Sequence, residues 1–453
     1  MMPIETLTSA PAAAPFHEPR QIGKYRVLGK LGEGATSEVF LCRDDFAGRD
    51  VAVKLVRAAA LGDSIDGRYI GRFFAAEAAL VGRLQHPNVV QLYDAVADPI
   101  QPYLVMEYVA GSTLRPYCSP DQSLPLELIV ELAFKCAMAL GYLARQGVVH
   151  RDVKPANLLL QITHGAITGV KITDFGSALN LGSDLTHIDR VGSLAYVSPE
   201  QLDGQRLDSR SDMYSLGAVL YHLIAGRAPL DAASPAAMMQ QIFHQRPEPL
   251  GPLRAGVDPA LNAVIQRALA KRAPDRYPDW DAFAQALAAL VSNQLVPRGD
   301  AQSVLDSERF TLLRQLEFSA DFGDIDLWEV VHRARWERFN VGRSLYLKGD
   351  EGNDFHIIAQ GEVEVLRNGE RVAQLGAGAS VGEMAYLAPS PKLSRRSADV
   401  VVSQPTASVA FTPETLARLS PVTRHAFDQA FIRVLVRRLH AAHEALAHPR
   451  RVL

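Results

Sequence analysis

The stretch that decides the fold is His150-Arg151-Asp152-Val153-Lys154-Pro155-Ala156-Asn157, which is followed by Asp174-Phe175-Gly176. The first segment holds a carboxylate that can orient a hydroxyl, a lysine that can meet a phosphate and an amide that can hold a metal. A second carboxylate follows at the end of an apolar run. Phosphoryl transfer needs these groups, because its barrier falls mainly through positioning and charge neutralisation. The two segments, in this order, therefore predict phosphoryl-transfer chemistry.

Length, charge and cysteine content narrow the class of protein. A chain of 453 residues is too long for one compact core, so two or three domains are expected. The formal net charge of -3 gives no electrostatic reason to expect nucleic acid or an anionic membrane as a partner. Three widely spaced cysteines form neither a disulfide framework nor a zinc pattern, which favours a reducing compartment.

No segment has the pattern of a membrane span or a secretory signal. The best candidate, 129–144, is interrupted by Glu131 and Lys135 and is shorter than the roughly 20 residues that a bilayer requires. The first 20 residues lack a basic start followed by an apolar run. A cytoplasmic protein without membrane contact is therefore predicted.

Hydrophobic periodicity divides the chain into regions. Residues 1–24 are predicted to be disordered, 25–291 to form the first folded domain, 292–309 a polar linker, 310–446 a second domain and 447–453 a tail. The first domain begins with strand-like runs at 25–28, 38–43 and 50–56, and a helix-like stretch covers 69–84. Helical spacing appears at 126–143, 213–224 and 261–269.

The second domain has the pattern of a small β-barrel or jelly roll. Strands are predicted at 344–348, 355–360, 362–367 and 371–375, and Asn368-Gly369 is a strong signal for a two-residue hairpin. An amphipathic helix carrying Phe427, Phe431, Leu435 and Leu439 on one stripe ends the chain.

The two segments quoted at the outset resemble the catalytic loop and the metal loop of protein kinases. The resemblance covers about 25–290 and is to bacterial-type serine/threonine protein kinases. It implies an α+β, bilobal protein kinase fold and transfer of the ATP γ-phosphate to a protein hydroxyl with Mg²⁺. Lys154, two residues after Asp152, favours serine or threonine as the acceptor.

The resemblance assigns a role to each group of this machinery. Asp152 should orient the acceptor hydroxyl, and Lys154 should neutralise the transferring phosphate. Asn157 and Asp174 should hold Mg²⁺. Lys54 should bind the α- and β-phosphates of ATP and form an ion pair with Glu77. The residues implied to contact ATP are Gly32, Gly34, Val39, Ala52, Lys54, Glu107, Val109 and Leu159.

Other positions are implied to be structural or regulatory. Glu200 should pair with Arg276, and Asp212 should hold the backbone of the catalytic loop. Ser193 should help to place the acceptor. Thr186, with Ser183 as second choice, is the predicted phosphorylation site.

A second site is indicated by Gly382-Glu383-Met384-Ala385-Tyr386-Leu387, followed by Arg395-Arg396-Ser397-Ala398. The pattern resembles the phosphate-binding cassette of cyclic nucleotide-binding domains, a β jelly roll with flanking helices. Glu383 should bind the ribose and Arg396 the phosphate, because a guanidinium can hold a compact anion bidentately. Gly382 and Ala385 should shape the turn, and Ser397 could touch the phosphate or the base. Arg395 is the competing choice, since the loop at 388–394 is longer than usual.

The sequence thus predicts a serine/threonine kinase regulated by a cyclic nucleotide, cyclic AMP or cyclic GMP. Two alternatives stay open. The kinase fold could be a nucleotide-responsive scaffold that transfers no phosphate, or the C-terminal barrel could serve only dimerisation or targeting. The terminal helix could form a homodimer or simply cap the barrel. DNA binding is not expected, because one long helix follows the barrel where related transcription factors have a helix-turn-helix.

Overall fold

The computed structural model describes residues 19–34, 36–57, 71, 74–75, 77–98, 101–175, 194–297, 305–387 and 395–447. They form two compact units. The first contains the described residues up to Gln85, together with Val90–Ala110 and Asp174. The second contains His86–Val89, Gly111–Thr173 and the described residues from Leu194 onward. Helices and strands both contribute, so the predicted α+β class is confirmed.

The first unit is built on a six-stranded antiparallel sheet. Its strands are β1 (Gln21–Ile22), β2 (Tyr25–Glu33), β3 (Ser37–Asp44), β4 (Arg49–Val56), β5 (Leu92–Val96) and β6 (Tyr103–Glu107), in the order β1-β2-β3-β4-β6-β5. Alternation along β4 places Val51, Val53 and Leu55 in one core with Phe40, as a strand period of two requires. The three predicted strands of this region are present; β3 and β4 are slightly longer than expected, and β2 extends to Glu33 where the prediction ended at residue 28.

The structure corrects the prediction that residues 1–24 are disordered. Gln21–Ile22 pairs with the start of β2, and Ile22 is buried in the same core as Tyr25. Burial of Ile22 and backbone pairing with β2 both contribute to ordering this segment, and one apolar residue among polar neighbours gives no sequence pattern. Residues 1–18 lie outside the described part of the chain.

The first part of the second unit is mostly helical and contains one small sheet. A small sheet with the order β7-β8-β9 consists of β7 (Gly111–Thr113), β8 (Leu158–Thr163) and β9 (Ala166–Ile172). The helices are α1 (Leu126–Arg145), α2 (Pro199–Leu202), α3 (Ser209–Ala225), α4 (Pro235–His244), α5 (Pro259–Ala268) and α6 (Trp280–Ser292), with short 3₁₀ turns at Arg115–Cys118, Pro120–Gln122, Pro155–Asn157 and Ala273–Asp275. The three predicted helices correspond to α1, α3 and α5. Asp208, Asp258 and Asp279 cap α3, α5 and α6 by accepting first-turn N–H groups.

Two further helices were not predicted. They are α7 (Asp306–Gln315), which begins inside the predicted linker 292–309, and α8 (Asp324–Arg333), with a 3₁₀ turn at Glu317–Ser319 between them. In α7 the buried apolar side chains are only Phe310 and Leu313. Three apolar residues in ten, Phe310, Leu312 and Leu313, are too few to reveal a helical period.

Two four-stranded sheets follow, as the jelly-roll prediction requires. Their strands are β10 (Arg335–Phe339), β11 (Ser344–Tyr346), β12 (Phe355–Gln360), β13 (Val363–Arg367), β14 (Glu370–Leu375), β15 (Ser380–Val381), β16 (Asp399–Val402) and β17 (Thr406–Phe411), in the orders β10-β17-β12-β15 and β11-β16-β13-β14. Asn368 and Gly369 have φ values of 55° and 84° and join β13 to β14, which confirms the hairpin.

The remaining helices are α9 (Glu383–Tyr386), α10 (Pro413–Ala417) and α11 (Pro421–Ala447). Phe427 and Phe431 of α11 pack against Phe355 and are buried. Leu439, predicted on the same stripe, is exposed. The apolar stripe therefore covers the barrel only along the first half of the helix. None of the helices in the described residues combines the length and the apolar character that crossing a bilayer would take.

Candidate functional site

Lys54 lies at the centre of a charged cluster in the first unit. It belongs to β4, which pairs with β3 on one side and β6 on the other. Its Nζ lies 3.0 and 3.1 Å from the two carboxylate oxygens of Glu77 and 2.8 Å from Oδ1 of Asp174. Burial alone would lower the pKa of the ammonium, but Asp174 and Glu77 outweigh it and hold the pKa above its usual value. The predicted ion pair is present, and Lys54 is a fixed cation.

The residues predicted to contact ATP in this unit lie on the same sheet. Gly34 closes a turn by donating its N–H to Ser37 O at 2.8 Å. Val39 is opposite Lys54, and Ala52 is opposite both Leu41 and Met106. The sheet thus aligns these positions across neighbouring strands. The remaining ATP positions of this unit are Gly32 in β2, Glu107 at the end of β6 and Val109 just after it.

The catalytic loop in the second unit brings Asp152, Lys154 and Asn157 together. Lys154 Nζ lies 2.7 Å from Oδ2 of Asp152. Asn157 Nδ2 donates to the backbone oxygen and to Oδ2 of Asp152, both at 2.9 Å. The carboxylate is therefore held by a cation and an amide on one side. Leu159, predicted to contact ATP, follows on β8.

A buried carboxylate, Asp212, holds the backbone of this loop by hydrogen bonds. Asp212 accepts the N–H groups of His150 and Arg151, each at 2.7 Å. Arg151 has φ of 67°, a left-handed conformation that costs energy for a residue with a side chain. Two charge-assisted hydrogen bonds offset that cost. The predicted supporting role of Asp212 agrees with this geometry.

Thr173, which directly precedes Asp174, is held by two hydrogen bonds of its backbone. Thr173 N donates to Asn157 O at 3.0 Å, and His150 Nε2 lies 3.0 Å from Thr173 O. Asp174 itself has φ of 65°. Thr173, the residue before the carboxylate predicted to hold Mg²⁺, is therefore tied to the predicted catalytic loop.

Glu200 and Arg276 form the predicted ion pair. Two parallel contacts join them, Nη1 to Oε1 at 2.6 Å and Nη2 to Oε2 at 2.8 Å. Ser211 Oγ adds a hydrogen bond to Glu200 at 2.8 Å, and the guanidinium lies 5.0 Å from the ring of Tyr214. Arg276 is fully buried, so this bidentate pair is a structural contact. Ser193, Thr186 and Ser183 lie outside the described residues.

The second predicted site is organised around Arg396. Gly382 precedes α9 with φ of 87°, and a Cβ there would lie 2.6 Å from Arg396 Nη1. Glu383 and Ala385, on α9, are buried. Arg396 is buried as well, whereas Arg395 is exposed and pairs with Glu351 at 3.0 Å. The structure therefore places Arg396, not its competitor, beside the predicted turn.

The guanidinium of Arg396 already has partners within the chain. Nη1 donates to Asp354 O at 2.8 Å and to Gly382 O at 2.9 Å, and Nη2 pairs with the Asp354 carboxylate. The Tyr346 ring stacks on it, with 3.6 Å between the guanidinium carbon and the ring centroid. Ser397 is on the exposed side, with Oγ 3.9 Å from Met384 Sδ. An entering phosphate would have to share Arg396 with Asp354.

Sequence reasoning missed Asp354 and Tyr346. The available signal was a carboxylate in the Gly352-Asn353-Asp354 turn directly before the buried strand β12. A hydrogen bond from His356, reinforced by Arg396, lowers the pKa of Asp354 to about 2. Asp354 is therefore anionic at neutral pH and neutralises the arginine.

The residues predicted to hold Mg²⁺ fit that ion chemically. Asp174 supplies a carboxylate. Asn157 donates a hydrogen bond from its Nδ2 to Asp152, which leaves the amide oxygen Oδ1 of Asn157 for a metal ion. Hard oxygen donors are what Mg²⁺ takes, usually with only one or two protein ligands. Among the described residues, no group of three or more His, Cys, Asp or Glu side chains is arranged as a metal site, so the predicted site would rest on these two ligands.

Comparison with known families agrees with this geometry. Residues 25–288 match the protein kinase domain, and the chain belongs to that family. Residues 336–420 match the cyclic nucleotide-binding domain. Both matches fall within the boundaries predicted for the two domains.

Curated relatives cover the first domain. The serine/threonine-protein kinase PknB of Mycobacterium leprae is 36% identical over 304 residues, which are 65% of this chain and 47% of the relative. A probable serine/threonine-protein kinase of Streptomyces coelicolor is 38% identical over 62% of this chain and 42% of its own length. One from Clostridium acetobutylicum is 33% identical over 64% and 42%, respectively. The chain thus matches less than half the length of these relatives.

Proposed function

We propose that this protein is a serine/threonine kinase that transfers the γ-phosphate of ATP to protein hydroxyls and that a cyclic nucleotide regulates it through its C-terminal domain. The observation that carries the kinase proposal is the completeness of the charged groups. Lys54, Glu77 and Asp174 form one cluster, and Asp152, Lys154 and Asn157 form another. A fold kept only as a scaffold has no need for all six.

In this proposal the first cluster binds the nucleotide. Lys54 is oriented by Glu77 and meets the α- and β-phosphates. Asp174, with Asn157, holds Mg²⁺, which would neutralise charge on the phosphates. Because Lys54 is held by two carboxylates, it presents its charge at one fixed point. Such preorganisation stabilises a charged transition state without reorganisation during the reaction.

The second cluster acts on the acceptor. Asp152 accepts a hydrogen bond from the serine or threonine hydroxyl and orients it toward the phosphate. Lys154, whose Nζ lies 2.7 Å from that carboxylate, is the proposed cation that neutralises the transferring group. Asn157 fixes the Asp152 side chain through its amide, so the carboxylate oxygen that meets the hydroxyl has a defined direction.

Regulation by a cyclic nucleotide is supported by the match of residues 336–420 and by the buried Arg396 beside Gly382. Glu383 is the proposed ribose acceptor and Arg396 the phosphate ligand. Regulation requires that the nucleotide bind two states of the protein with different affinities. The cytoplasm, where thiols stay reduced, is the proposed location, and Cys42, Cys118 and Cys136 are all free.

The test is autophosphorylation with labelled ATP and Mg²⁺, with no addition, with cyclic AMP and with cyclic GMP. Asp152→Ala is the control. Incorporation that the control loses supports the kinase, and a change with one nucleotide supports regulation. Incorporation that is indifferent to both nucleotides, with an unchanged melting temperature, would favour a barrel used only for dimerisation or targeting. No incorporation at all would favour the scaffold.

A further inference from the structure

His86 is buried between aromatic side chains from two distant parts of the chain. It stacks on Tyr142 of α1, with ring centroids 5.3 Å apart and 28° between the planes. Its other neighbour is Trp328 of α8, which approaches edge-on at 6.5 Å and 77°. Trp328 is itself completely buried and lies 4.9 Å from Phe310 and 6.2 Å from Phe134. One tryptophan thus links the helices before the barrel to the kinase domain.

Buried charges fix this contact in one register. Lys135 of α1 pairs with Asp306 of α7 at 2.9 Å, and Glu131 accepts hydrogen bonds from Ser307 N at 3.3 Å and Ser307 Oγ at 2.5 Å. Glu131 and Lys135 are both buried and are the two charges that interrupt the apolar run of α1. Glu131 and Lys135 also lie 3.7 Å from each other, and α7 supplies the closer partners that these buried charges need.

The other end of the His86 loop holds the strand that leads to the metal carboxylate. His86 Nδ1 accepts the N–H of Asn88 at 3.1 Å. Asn88 Nδ2 donates to Val170 O, and Asn88 O accepts from Ile172 N, both at 2.9 Å. Residue 172 is the last of β9, and Thr173 and Asp174 follow it directly. Asn88 is therefore hydrogen-bonded to β9 at Ile172, two residues before Asp174.

We propose that Trp328 is a positioning residue for the kinase reaction. By holding His86, it fixes Asn88 on β9 and so places Asp174 for Mg²⁺. The helices before the barrel are then a required support of the metal site. This inference rests on the proposed kinase activity and adds to it a defined contact through which the C-terminal region acts on the first domain.

The test compares Trp328→Ala and Trp328→Phe in the full chain. The first readout is the Mg²⁺ concentration that half-saturates binding of a fluorescent ATP analogue, and the second is the same midpoint for autophosphorylation. Trp328→Ala should raise both midpoints, by less than the roughly tenfold that losing a direct hydrogen-bond partner of a metal ligand costs, because Trp328 acts on Asp174 through His86 and Asn88. Trp328→Phe keeps an aromatic edge against His86, so its two Mg²⁺ midpoints should stay close to those of the wild type.

Hydrogen exchange gives a readout that does not depend on the bound nucleotide. The amides of 86–89 and 170–172 should exchange faster in Trp328→Ala, because the Asn88 contacts protect them. Phe318→Ala is the matched control. Phe318 is a buried aromatic that packs on Phe322 and Phe427 instead. It should lower the melting temperature without changing the Mg²⁺ midpoints.

The outcomes separate positioning from packing. A lower melting temperature in Trp328→Ala with unchanged Mg²⁺ midpoints and unchanged exchange at 170–172 would overturn the proposal. If Trp328→Ala does not fold, Trp328→Leu, which fills more of the space than alanine and removes the ring, decides the same question. If the wild type transfers no phosphate, the kinase proposal fails, while analogue binding and exchange still decide the role of Trp328.

Discussion

The guanidinium of Arg396 is paired with the carboxylate of Asp354, a residue that lies before the predicted cyclic nucleotide cassette in the sequence. The Tyr346 ring stacks on the guanidinium, and both charged side chains are largely removed from water. An arginine that is already neutralised attracts an anion less than a free one does. The cassette therefore has a built-in competitor for the phosphate that it is predicted to bind.

Asp354→Asn should tighten binding of the cyclic nucleotide by about tenfold, because the phosphate would no longer compete with a full negative charge. Arg396→Ala should weaken it by about tenfold or more, since it removes a charge-assisted contact. Titration calorimetry with cyclic AMP and cyclic GMP measures both. Asp350→Asn, at an exposed carboxylate in the same turn, is the control and should change little. Weaker binding in Asp354→Asn would show that the carboxylate orients the arginine instead.

Lys54→Met should lower the turnover number by about a thousandfold, as expected when a preorganised charge is lost from a phosphoryl-transfer site. The measurement is the initial rate of autophosphorylation at saturating ATP and Mg²⁺. Lys30→Met is the matched control, because Lys30 forms only exposed ion pairs with Glu33 and Glu38. Its rate should equal that of the wild type. Equal losses in both variants would mean that the effect is not specific to the Lys54 cluster.

Arg276→Met should destabilise the kinase domain by about 3–5 kcal/mol, because it leaves the Glu200 carboxylate without its buried partner. Urea unfolding followed by tryptophan fluorescence measures the loss. Arg210→Met removes a solvent-accessible pair with Asp208 and should change the free energy of unfolding by no more than about 1 kcal/mol. A similar small change in both variants would contradict a structural role for the buried pair.

The free energy of unfolding should decrease as the pH falls below about 6.5, in part through His86. Burial, with smaller contributions from nearby cationic groups, lowers the pKa of His86 to about 3. Between these values the unfolded chain binds a proton that the folded chain does not, so acid favours unfolding. His86→Asn should reduce the slope by up to about 1.4 kcal/mol per pH unit.

Denaturant titrations between about pH 7 and about pH 5, where unfolded histidine becomes protonated, measure the slope. The exposed His244→Asn is the control and should leave the slope unchanged. A slope in His86→Asn equal to that of the wild type would place the pH dependence elsewhere.

The fold could be predicted well where periodicity is strong. The strands around Lys54, the helices α1 and α3 and the hairpin at Asn368-Gly369 follow from alternation, helical spacing and turn chemistry. The helix α7 could not, because it has few apolar residues, whereas α8 carries buried apolar residues at helical spacing, Leu327, Trp328 and Val331, which sequence reasoning missed. Ile22 was missed for a related reason, since one buried side chain leaves no pattern.

The sequence by itself determined the chemistry, because adjacent residues in a motif carry their functional groups wherever the motif folds. The groups near Asp152 and the glycine turn belong to that part, whereas the choice of Arg396 over Arg395 beside Gly382 came from the structure. Only the tertiary structure decided that Asp354 neutralises Arg396 and that Trp328 packs on His86. These contacts depend on which surfaces meet when distant segments pack, and no local pattern records that choice.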